Sequence, residues 1–136
     1  MKPKYENILK EVLDEIEIAL KDSKGIISHQ RRIAFSLSLG AVTLIEEYLD
    51  RLNILKPGAK INHLWLKKKR ETVKEYISRQ ISAQIDSIPK IDQLIELAFE
   101  LEKDRNILAY GKPVSELKIR EKIGLFLKLK KEVEDA

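Results

Sequence analysis

The sequence predicts an all-α fold: a compact up-and-down bundle of about five helices in a single domain over residues 1–136. Three observations predict it. Apolar residues recur at i, i+3 and i+4 along most of the chain. Five Gly and four Pro are too few for a turn-rich β protein, and most of them fall between periodic segments. A content of 43% hydrophobic and 35% charged residues supplies a core and a solvated surface, unlike a disordered tail.

The elements follow in order. Pro3 stands where a helix begins, and Ile8, Leu9, Val12, Leu13, Ile16, Ala19 and Leu20 mark its apolar face. Gly25 closes that helix, since glycine enters the left-handed region cheaply. Ser28 is the expected cap of a second helix running to about residue 53, with Ile33, Ala34, Leu37, Ala41, Leu44, Ile45, Tyr48, Leu49 and Leu52 buried. Gly in mid-helix costs roughly 1 kcal/mol relative to Ala. Gly40, among the small residues Ser36, Ser38 and Ala41, therefore predicts close approach of another helix. Lys56-Pro57-Gly58 is a breaker. Asn62 is the expected cap of a third helix carrying Leu64, Trp65, Val73, Ile77, Ile81 and Ile85, with Lys67-Lys68-Lys69-Arg70 in its first turns. Pro89 breaks the pattern. A fourth helix from Ile91 includes Leu94, Ile95, Ala98, Leu101 and Leu108 and stops at Gly111 and Pro113. Ser115 caps a fifth with Ile119, Ile123, Phe126 and Val133, and the residues after 133 are expected to fray.

Composition removes several function classes. The absence of Cys excludes disulfide scaffolds, thiolate metal sites and cysteine nucleophiles, and two His residues leave little for an imidazole metal centre. No metal and no cofactor is expected. No secretory leader or 18-residue apolar span is visible, so no membrane association and a cytoplasmic location are expected. The 18 Ile residues with many Lys and Glu give a thermophile-like composition. The formal net charge of +4 lies wholly after residue 58, because residues 1–58 carry nine charges of each sign. That excess suits an anionic partner without requiring one.

The end of the predicted fourth helix reads Glu102-Lys103-Asp104-Arg105-Asn106-Ile107-Leu108-Ala109-Tyr110-Gly111. Here the chain resembles the HEPN superfamily (higher eukaryotes and prokaryotes nucleotide-binding domains), small all-α bundles with an Arg, commonly a polar residue after it, and a His four to six residues beyond the Arg. Arg105 and Asn106 match the first half. Tyr110 stands at the His position, and Lys112 stands where toxin-type members often carry a Tyr. A long second helix rich in small residues, a Pro-Gly break and an Arg-Asn helix extend the likeness over most of the chain.

The resemblance implies a homodimer whose paired sites bind RNA or a nucleotide phosphate. It also implies metal-independent RNA cleavage, with a nucleotidyltransferase-like protein as partner in toxin–antitoxin pairs. In that scheme Arg105 stabilises phosphate charge, Asn106 assists, and residue 110 carries the proton. A Tyr with an ordinary pKa of about 10 donates a hydrogen bond but is a poor base at pH 7. Tyr110 therefore favours binding with ribonuclease activity lost or altered.

Several residues also suit simpler roles. Arg105 also suits a pair with Glu102 at i−3, and Tyr110 an apolar anchor beside Gly111. His29, near Arg32, would replace the missing His if that helix end approached Arg105, but otherwise reads as an exposed helix-start residue. His63 reads as a helix-start residue or a member of an aromatic cluster with Trp65. Lys67, Lys68, Lys69 and Arg70 are candidate phosphate contacts, although four consecutive helical residues point all round the axis. The sequence leaves two further functions open: a non-catalytic scaffold that oligomerises, and general nucleic-acid binding through the lysine-rich segments.

Overall fold

A computed structural model describes all 136 residues. Helix α1 (Pro3–Lys21) opens on Pro3, whose missing N–H costs nothing in a first turn, and buries Leu9, Val12, Ile16 and Ala19. Gly25, at φ 96°, then turns the chain into a short 3-10 segment, Ile26–His29. Helix α2 (Gln30–Arg51) follows, with His29 rather than Ser28 at its N-cap. The Ser28 hydroxyl donates back to the Gly25 carbonyl and so belongs to the turn, not to the helix.

The expected third helix is two pieces, α3 (His63–Leu66) and α4 (Arg70–Ser78). Asn62 caps the first as expected, its side-chain oxygen accepting the Leu64 N–H at 2.9 Å. Lys67, Lys68 and Lys69 form the break, so they do not lie in the first turns of a helix; Lys69 is extended and Arg70 opens α4. Ile81 lies beyond α4 and makes an isolated antiparallel bridge with Leu55. Ile85 starts a second 3-10 turn, Ile85–Ser87.

The expected fourth helix is also split, into α5 (Ile91–Glu102) and α6 (Arg105–Tyr110). Arg105 thus opens a short helix instead of ending a long one. Helix α7 (Glu116–Asp135) is capped by Ser115, whose hydroxyl accepts the Lys118 N–H at 3.1 Å. It runs two residues past Val133, where fraying was expected.

Tertiary hydrogen bonds fix the helix directions. The Tyr5 hydroxyl at the start of α1 donates to Asp50 at the end of α2 (3.1 Å), and the Tyr48 hydroxyl near the end of α2 donates to the Pro89 carbonyl just before α5 (2.7 Å). Lys90 before α5 pairs with Glu132 near the end of α7 (2.9 Å). Helices α1, α2, α5 and α7 therefore run up, down, up and down. Helix α2 is the centre of the bundle and packs on α1, α5, α6 and α7.

Gly40 explains how a central helix is crowded on two sides. A Cβ there would lie 2.5 Å from Cε1 of Phe126 on α7 and 3.1 Å from Val12 Cγ1 on α1. The close approach expected from the sequence is therefore real. Three apolar residues assigned to buried faces by periodicity, Leu20, Leu52 and Leu64, are exposed. They sit at helix ends, where the bundle no longer covers them. No helix is long and apolar enough to cross a membrane.

Candidate functional site

The break between α5 and α6 places Arg105. Asp104, the N-cap of α6, makes ion pairs with two lysines of α7: Lys122 at 2.8 Å and Lys118 at 3.2 Å. Lys122 is itself buried and donates to the Glu100 carbonyl. These long-range pairs hold the chain where the helical ladder is interrupted. Burial pushes the Asp104 carboxyl up, but hydrogen bonds from Lys122 and Lys118 outweigh it and leave the group below the usual carboxylate range. A depressed folded value contributes stability above the unfolded value, about 3.9, and loses it as pH falls through the folded value. Asp104→Asn is therefore expected to flatten the loss of stability below about pH 4. Urea unfolding followed across that range checks it, and an acid slope identical to wild type would refute the role of Asp104.

Arg105 is mostly buried and held on three sides. Its Nε lies 3.8 Å from Glu102 Oε1, too far to hydrogen-bond, and is enclosed without a partner. One terminal nitrogen donates to Asn106 Oδ1 at 3.0 Å, and the guanidinium carbon sits 5.0 Å from the centre of the Phe35 ring. The expected Arg105–Glu102 proximity is thus present as a loose ion pair. Asn106 orients Arg105 and is otherwise exposed.

Glu102 is the residue around which the site is built. It is 2% exposed, yet it is a carboxylate. Ser38 of α2 donates its hydroxyl to both oxygens, at 3.1 and 2.9 Å. His63 of α3 lies with Nδ1 2.8 Å from Oε1. An unpaired buried carboxylate is very costly, and these donors together with Arg105 satisfy it. With Glu102 ionised, Nδ1 carries the imidazole proton, an assignment made from the partner.

Arg105 and His63 line one cavity of about 410 Å³. Phe35, Leu39 and Val42 of α2 form its apolar wall, and Lys60 and Asn62 complete its polar side. Lys60 and Arg105 are the charged side chains of the lining, and both are cationic. Neither the cavity nor the role of His63 was legible beforehand: Ser38, His63, Glu102 and Arg105 come from four helices, and His63 and Glu102 are 39 residues apart.

The other expected site residues fall elsewhere. Tyr110 is 70% exposed, so it is not a buried anchor; its ring meets Phe35 edge-on at 5.9 Å. Lys68, Lys69 and Arg70 line a different cavity with Ile95, Glu96 and Phe99, and Arg70 pairs with Glu96 at 2.9 Å. Lys67 is exposed at the α3–α4 break.

His29 is buried rather than exposed. Its Nε2 lies 2.7 Å from Asp22 and its Nδ1 2.8 Å from Arg32, so it ties the first turn to α2 and does not join Arg105. The start of α2 does reach α6, but through Gln30 and Arg31, which donate to the Leu108 and Ala109 carbonyls. His63 opens α3 as expected, while the aromatic partner of Trp65 is Tyr76, at 5.5 Å. No group of three His, Asp or Glu side chains converges as a cation site would require. Comparison with family models, curated proteins and solved structures finds no match to this chain.

Proposed function

We propose that this protein is a HEPN-like domain that binds RNA or a nucleotide phosphate in the cavity lined by Arg105 and Lys60. The observation that carries the reading is the guanidinium of Arg105, fixed by Phe35, Asn106 and Glu102 at the wall of a cavity whose charged lining is cationic. A planar, pre-oriented guanidinium suits phosphate oxygens. The apolar wall of Phe35, Leu39 and Val42 suits the face of a nucleobase. Tyr110 packs edge-on against the Phe35 ring, and Tyr110 and Ile107 are exposed one helical turn apart on α6. They support self-association there, in line with the homodimer that the resemblance implies.

Arg105→Ala is expected to weaken binding of a labelled single-stranded RNA by roughly 10- to 100-fold, the equivalent of one or two charge-assisted hydrogen bonds. Fluorescence anisotropy at fixed salt measures it. Affinity that survives Arg105→Ala but is lost when Lys67, Lys68 and Lys69 are all replaced by alanine would overturn the groove reading. It would assign binding to the lysine-rich segment instead.

A further inference from the structure

A second cavity, of about 410 Å³, opens between the start of α2 and the end of α6. It shares no lining residue with the cavity of Arg105. Its charged side chains are Arg31 and Arg32, and its lining contains no acid. Ile27, Leu108 and Pro113 supply apolar surface.

Arg31 stands apart from the other arginines of the chain. Arg32, Arg51, Arg70, Arg79, Arg105 and Arg120 each have a carboxylate at 2.7 to 3.8 Å. Arg31 has no carboxylate within 4.0 Å. Its Nε donates to the Ala109 carbonyl at 3.0 Å, near the C-terminal end of α6. That bond caps α6 and directs the guanidinium. It leaves both terminal nitrogens without a protein acceptor. Arg32 is fixed in turn, with Nε on Glu15 at 3.1 Å and one terminal nitrogen on His29 Nδ1 at 2.8 Å. Its other terminal nitrogen has no protein partner.

The segment that carries Gly111 and Pro113 is tied to the first turn of α2. The amide of Gln30, itself buried, donates to the Leu108 and Lys112 carbonyls at 3.0 and 3.1 Å and accepts the Val114 N–H at 2.8 Å. The cavity is therefore shaped before any ligand arrives. Capping α6 accounts for Nε of Arg31. It does not account for a second guanidinium on the same lining, nor for the absence of any acid there to balance them. Guanidinium donors held in fixed directions match the oxygens of a phosphate group. A bare phosphate is far smaller than this cavity, whose volume falls within the range of small-molecule sites, roughly 300–1,000 Å³. The apolar surface takes the remainder of the ligand.

We propose that this cavity binds the phosphate group of a small phosphorylated compound, with Arg31 as the principal contact and Arg32 as the second. The site is separate from the cavity of Arg105, and the inference does not rest on the RNA-binding reading above.

Inorganic phosphate is the probe, titrated at constant ionic strength while two-dimensional amide NMR spectra are recorded. Shifts are expected at Arg31, Arg32 and Gly111, which line the cavity, and not at Lys60 or His63. Arg31→Ala is expected to weaken phosphate binding roughly 10- to 100-fold. Arg105→Ala is expected to leave it within about twofold of wild type. Acetate, with a single charge and fewer oxygens, is expected to bind roughly tenfold more weakly than phosphate. Should Arg31→Ala fail to fold by circular dichroism, Arg31→Lys, which keeps the charge but not the fork, must show weakened phosphate binding. No shift at about 20 mM phosphate, shifts that survive Arg31→Ala, or acetate that binds as tightly as phosphate overturns the proposal. RNA affinity that falls as far in Arg31→Ala as in Arg105→Ala would join Arg31 to the other groove and overturn a separate site. Wild type that shows these shifts but does not bind RNA overturns the RNA reading and leaves this site standing.

Discussion

Phe126→Ala is expected to lower the unfolding free energy by about 3–5 kcal/mol, the usual cost of deleting a fully enclosed aromatic ring. Phe126 has no exposed surface and its ring occupies the space that Gly40 leaves open on α2. The two residues form one packing unit between the central helix and α7. Gly40→Ala alone would gain about 1 kcal/mol of helix propensity on an isolated helix. Here its new methyl group would stand 2.5 Å from ring carbon Cε1, so a net loss of about 1–3 kcal/mol is expected. Phe126→Leu should recover part of that loss when combined with Gly40→Ala, since the smaller side chain vacates the contested space. Urea unfolding of the two single variants and the double variant measures the coupling. Strictly additive effects would show that Gly40 and Phe126 do not share that space.

Glu102→Ala is the second large effect expected, a loss of about 3 kcal/mol in stability. The substitution removes the acceptor for the Ser38 hydroxyl and for His63, and it takes the nearest counter-charge from Arg105. Ser38 is buried, so its hydroxyl would be stranded. Glu102→Gln keeps the shape and one acceptor oxygen, and should cost less than the alanine variant. Chemical denaturation of both variants checks the order. A glutamine variant as unstable as the alanine one would mean that charge, not shape and hydrogen bonding, dominates at this position. An alanine variant as stable as wild type would mean that the cluster contributes nothing to folding.

Much of the fold was legible because its signals are local. Ser115 and Asn62 cap helices as expected, each with its own side-chain oxygen on a backbone N–H two or three residues ahead. The apolar period of α1 and α7 marked their buried faces, which lie on a single bundle interior. Periodicity failed where helices break without Pro or Gly. The segment from Lys67 to Lys69 and the pair Lys103-Asp104 hold ordinary helix-compatible residues. At Asp104 the interruption is held by lysines 14 and 18 positions later, which no local pattern records.

The candidate site was legible only in its first half. Arg105 and Asn106 stood out as a sequence pair, and the structure joins them by a hydrogen bond. In the sequence Glu102 reads only as a surface partner of Arg105, because a single carboxylate near a helix end looks solvated. His63 had no sequence signal beyond its place after Asn62.

By itself, the sequence determined an all-α bundle, most of its helices, the crowding at Gly40 and the placing of positive charge in the second half of the chain. These properties depend on backbone propensity, capping and period, which act over one or two helical turns. The tertiary structure alone decided where the helices break and which polar residues meet. The physical reason is that a buried carboxylate must find its donors wherever the packed helices bring them. For Glu102 those donors are Ser38 and His63, 64 and 39 residues away in the chain.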